Sequence, residues 1–170
     1  MTDGLADRRR RQERAYEFER WARPVESRTA ATVLVAFQPC VPAGFSLAGA
    51  NDYPDRLHAE RVRRYFIAQK GRRTTGGLVV EIVAAECDSS VDARASVMDL
   101  LATQMVNMLQ PAEPPDFGDV CFTSSRNDPA CVLFARGTVA VLVRSVGSIA
   151  VGVEEFARCC DEQLRGRTNR

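Results

Sequence analysis

Lysine and histidine are nearly missing from this chain. Of its 23 basic residues only Lys70 is a lysine, and His58 is its one histidine. A lone imidazole excludes a multi-histidine metal centre, and it confines any Ser-His-Asp or Cys-His arrangement to position 58. His58 lies in the charged run Asp55-Arg56-Leu57-His58-Ala59-Glu60-Arg61, which reads as exposed, where a general base gains little tuning. Long apolar runs are missing too: no stretch approaches the roughly 20 residues of a membrane-spanning helix. Thr74-Thr75-Gly76-Gly77 lacks the order of a phosphate loop and no G-x-G-x-x-G occurs, so nothing points to nucleotide hydrolysis. The six cysteines form no C-x-x-C pair and no regular scaffold spacing, which reads as reduced, mostly buried thiols. Cys131 and Cys160 fall at core positions. Cys40 and Cys159 are more accessible but have no evident basic partner. No metal and no cofactor is expected. Excess charge is also lacking, since a net +1 exerts no overall pull on nucleic acid or an anionic surface.

What is present is arginine, spread over the whole length in the manner of a GC-rich coding bias, and 45% hydrophobic residues. A chain of 170 residues holds one core plus an extension. The expected organisation is an N-terminal helix with a Pro/Gly-rich connector over 1–46, an α+β domain over 47–166 and a disordered tail over 167–170. Residues 5–23 read as a helix stopped by Pro24, with Phe18, Trp21, Ala22 and Val25 on one face. Thr32 to Phe37 is a candidate short strand. The apolar stretch 30–50 ends in an Ala-x-Ala pattern at Ala48 and Ala50, but Pro39 and Pro42 interrupt it. A cytoplasmic chain is therefore expected, with secretion after cleavage near Ala50 as the alternative.

From Arg61 onward the pattern turns to β. Arg63 to Gln69 and Gly77 to Ala85 form an antiparallel hairpin. Ser89 and Asp92 then match a capping box for a helix starting near Ser90, whose stripe is Val91, Ala95, Met98, Ala102, Met105 and Leu109. A strand at Gly118–Phe122 precedes a hairpin turning at Arg136-Gly137, in which Cys131 packs opposite Leu142. Val153, Phe156, Ala157, Cys160 and Leu164 give the last helix its apolar stripe. The whole is α+β: a mainly antiparallel sheet of about five strands packed by two amphipathic helices, with the N-terminal helix, and a strand if one forms there, over the other face.

Gly118-Asp119-Val120-Cys121-Phe122, the F-x-R-G-x-V-x-V stretch from Phe134 to Val141, and the closing amphipathic helix resemble a loose set of uncharacterised bacterial α+β domains. In that set a GD is followed by RGN with alternating valines and a final helix. Here Thr138 stands where Asn is usual. The resemblance spans roughly residues 60–165 and implies the fold, with no catalytic residue to carry over.

Both sheet faces read as apolar. Leu78, Val80, Ile82 and Ala84 fill one side of their strand, while Val79, Val83 and Ala85 fill the other beside Glu81. With Leu133, Ala140 and Leu142 the second side approaches the size of an interface patch. Its expected covers are the N-terminal region, through Phe18, Trp21, Val33, Val35 and Phe37, or a second subunit. The leading functional expectation is a non-enzymatic interaction module that acts through this face, or through the N-terminal helix, on a protein partner or on itself. One alternative is polyanion or single-stranded nucleic-acid binding by Arg61, Arg63, Arg64, Lys70, Arg72 and Arg73, with Tyr65 and Phe66 interleaved. The other is a ligand-binding or enzymatic pocket beside the second face, lined by Asp119, Arg136 and Arg144; a covered Arg144 there would require an acid or an anion.

Overall fold

The computed structural model describes residues 3–15, 17–21, 37–53, 57–71, 77–103, 109–125 and 127–168. Helices α1 (Asp3–Ala15) and α2 (Phe18–Trp21) precede strands β1 (Phe45–Asp52), β2 (Arg61–Gln69) and β3 (Val79–Glu86). Helix α3 (Ser90–Thr103) leads to β4 (Gln110–Pro111), β5 (Val120–Thr123), β6 (Cys131–Arg136), β7 (Val139–Ser145) and α4 (Glu154–Thr168). The fold is α+β, as expected, and every strand pairing is antiparallel. The sheet has seven strands rather than about five, in the order β1-β2-β3-β7-β6-β5-β4. The two additions are β4, only two residues long, and β1, whose Ala- and Gly-rich sequence carries little strand propensity and joins by pairing with β2.

The two long helices take opposite faces, which corrects the expectation that both pack on one side. Helix α4 covers Val80, Ile82, Val132, Phe134, Val141 and Val143 with Val153, Phe156, Ala157, Cys160 and Leu164, all buried as their spacing predicts. On the other face, α3 lays Ala93, Val97, Leu100 and Leu101 against Val83, Ala85, Leu133, Ala140 and Leu142. The sheet is thus the middle of three layers. Its central strands are apolar on both sides because each side has its own helix.

Helix α1 packs on α3. Phe18 joins the α3-side core, whereas Phe37 is buried on the α4 side. Val33, Val35 and most of the expected Thr32–Phe37 strand lie outside the described residues, and Phe37 itself is not in a strand. The single helix expected over 5–23 is two helices with a break at Glu17, whose φ is +49°.

Ser89 Oγ accepts the Asp92 N–H at 3.1 Å and the two side chains hydrogen-bond, so α3 begins where its capping residues predict. Its buried arc differs from the expected stripe. Val91 is exposed, and Leu109 is buried beyond the helix end. Because α3 is packed by the sheet on one side and α1 on the other, the arc is wider than a single stripe.

In the β6–β7 hairpin the turn residues are Gly137 and Thr138, one place later than expected, with Arg136 opposite Val139. Gly137 has φ +54° at the first central position, where a type II′ turn takes glycine. Leu133 therefore faces Leu142, and Cys131 faces Arg144 rather than Leu142. The shift moves each partner by two residues, so the division into faces survives.

Candidate functional site

Residues 118, 119, 136 and 137 come together at one end of the sheet. The Gly118 N–H donates to Asp161 Oδ1 at 3.0 Å, and the Arg136 guanidinium grips the same carboxylate through Nε and Nη2. Arg136 Nη2 also donates to the Gly118 carbonyl at 3.3 Å. Asp119 accepts the Gly137 N–H at 2.7 Å and stands 3.7 Å from Arg136 Nη1. Arg165 closes the far side of Asp161 at 2.8 Å. The GD and RG motifs are thus bonded to each other and to an acid on α4. This is a latch between β5, the β6–β7 turn and the last helix. Buried Arg94 on α3 feels Asp119 as well; burial lowers its pKa and that charge opposes the drop.

Arg144, the third residue expected at a ligand site, lies elsewhere. Its guanidinium meets Glu81, a carboxylate buried in β3, and Arg64 Nη1 approaches the other oxygen of Glu81 at 3.6 Å. The acid that a covered Arg144 requires is therefore supplied by the neighbouring strand. Arg64 also lies 5.3 Å from the Phe66 ring and 5.8 Å from the Tyr53 ring, and it donates to Asn51 Oδ1 at 3.0 Å.

The described members of the basic set do not share one surface. Alternation along β2 puts Arg61 and Arg63 on the α4 side of the sheet and Arg64 on the α3 side. Arg61 is 3.7 Å from buried Glu86, and Arg63 is 3.8 Å from exposed Asp52. Lys70 is exposed in the turn after β2, while Arg72 and Arg73 lie outside the described residues.

His58 is exposed, as its sequence setting suggests, but it has partners. Its Nε2 lies 3.0 Å from Asp99, which also binds Arg9 Nη1 at 2.5 Å. Ser96 is near, yet its Oγ accepts the backbone N–H of His58 at 3.1 Å and sits 3.4 Å from Cys87 Sγ. Ser96 is wholly buried, so the three residue types of a hydrolytic triad meet without an accessible nucleophile. Burial pushes the Cys87 and Cys131 thiols up to about 11 and Cys121 to about 12, which keeps all three protonated at neutral pH. Among the described residues no group of three or more His, Cys, Asp or Glu is placed to hold a metal ion, and no helix is long and apolar enough to cross a membrane.

Besides a concavity of about 960 Å³ lined by Arg10, Glu13, Phe18 and their neighbours on α1 and α2, two others among the described residues lie against the sheet. One, of about 370 Å³, runs beside α4 between Phe117, Thr123, Glu154, Arg158 and Asp161. Its arginines are engaged at home, Arg158 with Glu154 and Arg165 with Asp161. The other is an open groove lined by Ala48, Gly49, Phe66, Val79 and Val146 along β1. Strand β1 ends the sheet, and all but Phe45 and Gly49 of its eight residues are exposed. Glu81, Glu86, Asp99 and Asp161 are the residues that sequence reasoning passed over as organising groups. For Glu81 and Glu86 the signal was an acid at a position whose neighbours on the same strand face are apolar, whereas Asp99 and Asp161 have mixed neighbours on their helices and carried no such signal. Comparison of the chain with protein-family models, with curated proteins and with solved structures gives no match in any of the three.

Proposed function

We propose that this protein is a non-enzymatic interaction module that associates with a second copy of itself, along the edge of its sheet rather than through a sheet face. The supporting observation is the character of β1. Its sequence, Phe45-Ser46-Leu47-Ala48-Gly49-Ala50-Asn51-Asp52, has one charge, at its end, and no proline. Natural edges are usually blunted by lysine, proline or brevity, and the opposite edge follows that rule: β4 is two residues long and contains Pro111. In β1 the one such device is a bulge between Leu47 and Gly49.

A two-fold axis perpendicular to the sheet would pair β1 with its copy antiparallel and extend the sheet across the interface. The groove at Ala48, Gly49 and Phe66 would then abut its own copy, because such an axis keeps like faces on the same side. Asp52 would fall opposite the uncharged start of the other β1, so no like charges would meet.

Sedimentation velocity over a concentration series tests this reading. The expected result is a monomer–dimer equilibrium that shifts to monomer in Ala48→Pro and in Leu47→Lys, with melting temperatures kept close to that of the parent. A chain that stays monomeric at about 100 μM would overturn it.

A further inference from the structure

The hydrogen bonds at the two ends of β1 fix which of its peptide groups meet β2 and which face the open edge. At one end the Lys70 N–H donates to the Gly44 carbonyl at 2.9 Å, and at the other the Tyr53 N–H donates to the Val62 carbonyl at 3.1 Å. Gln69, in between, turns its N–H away to the Leu78 carbonyl at 3.2 Å. In an antiparallel ladder, opposed residues alternate between pairs that exchange both bonds and pairs that exchange none. Carried inward from both ends, this alternation joins Ser46, Gly49 and Asn51 to Ala68, Phe66 and Arg64 of β2. Phe45, Leu47, Ala50 and Asp52 therefore direct their peptide groups at the edge. The Phe45 N–H is taken by the Pro42 carbonyl at 3.2 Å.

The bulge breaks this outward series, since 45 and 47 are followed by 50 and 52 instead of 49 and 51. A regular strand laid along the edge offers a bonding residue at every second position, so it matches one half of β1 and misses the other. In this way a bulge blunts an edge. A second copy running antiparallel carries the same break. With the two-fold axis between Ala48 and Gly49, Leu47 meets Ala50 of the second copy and Phe45 meets its Asp52, so every outward residue opposes an outward residue. Displacing the register by one residue matches none of them, and by two residues only half. The side chains agree. Leu47 and Ala50 lie on the α4 side, opposite Ile67 and Tyr65. Leu47 is the most exposed of the described large apolar side chains, and the small Ala50 leaves room for it.

We propose, resting on the edge association inferred above, that the bulge makes β1 self-complementary and sets the register of its pairing: the axis passes between Ala48 and Gly49, and Leu47 exchanges hydrogen bonds with Ala50 of the second copy.

Disulfide mapping tests this register. Ser46 and Asn51 are exposed, and across this axis they form a non-bonded pair with Cα atoms about 4.5 Å apart, within disulfide reach. Position 46 and its own copy stand five residues apart along the strand, roughly 17 Å, which is out of reach. Ser46→Cys and Asn51→Cys are each oxidised alone and as an equimolar mixture, beside the parent, then acid-quenched, alkylated and mapped by peptide mass. The mixture should give a peptide pair joining positions 46 and 51 between chains, absent from either variant alone. Both variants should melt like the parent, and sedimentation velocity of the same samples before oxidation should show dimer. A dimer without the link between 46 and 51, or with a link at these positions formed by one variant alone, would overturn the register and leave self-association standing. Monomer in every sample would overturn both.

Discussion

Gly118 holds φ +66°, and a β-carbon there would stand 2.2 Å from the Ala135 carbonyl oxygen and 2.9 Å from the Phe134 ring. Both the backbone conformation and the space demand glycine, because the chain must pass under β6 to present its N–H to Asp161. Gly137 is the natural comparison: its φ is +54°, but nothing lies within 4 Å of its added β-carbon. Gly137→Ala should therefore cost only the left-handed penalty, about 1–2 kcal/mol. Gly118→Ala must in addition displace backbone and is expected to cost about 3–5 kcal/mol, lowering the melting temperature by roughly 10 °C. Thermal denaturation of the two variants checks this, and equal losses would show that the latch is not tight at Gly118. The same geometry gives the GD and RG motifs a physical reason. They are the residues that bond one another, and chemistry need not be invoked to account for them.

Where α1 meets α3, the contact is organised by one acid. Asp99 binds Arg9 from α1 and His58 from the loop before β2, and Arg9 also bonds Glu13 at 2.9 Å. Burial in this seam raises the Asp99 carboxyl above its ordinary 3.8; Arg9 and then His58 oppose the rise, and Glu13 adds to it. The folded state thus holds this proton more tightly than the unfolded chain does. Stability contributed at this site is present at low pH and is lost as pH rises through the raised value. In Asp99→Asn the side chain stays neutral throughout. The melting temperature of the variant minus that of the parent should therefore grow as pH rises from below 3.8 through the range just above it. A difference that shrinks over that interval would contradict the assignment. Helix α1 was legible as a helix because its residues are good helix formers. Its docking site was not, since the anchor is a single acid on a different helix.

At the scale of the whole molecule, periodicity reports which residues are buried and says little about what buries them. The stripe of α4 was readable position by position, and so was the double apolar character of β3, β6 and β7. The assignment of α3 to the second face was not readable, because two helices with apolar stripes fit one face of a sheet as well as two. Strand β1 escaped notice because Ala48, Gly49 and Ala50 carry no strand pattern and its partner lies nine residues downstream. Of the candidate site residues, Arg136 and Asp119 were legible as a pair through their motifs. Arg144 was legible only as a charge in need of a partner, since Glu81 reaches it across the sheet. The layer order carries a consequence for the N-terminal helices. With α3 as the cover of the second face, α1 lies behind it and α2 adds only the partly buried Phe18 to that core, so the sheet does not rest on the N-terminal helices. Removal of residues 1–21 should leave a folded chain with a cooperative transition and a melting temperature a few degrees lower, since the part-exposed Arg9–Asp99 pair is worth about 1 kcal/mol at most. Removal of residues 1–44 should cost far more. It takes Phe37 from the core and strips its N–H from Glu86, a buried carboxylate then left with Arg61 at 3.7 Å. Circular dichroism melts of the two shortened chains separate these cases, and loss of cooperative melting in the first would return the role of cover to the N-terminal helices.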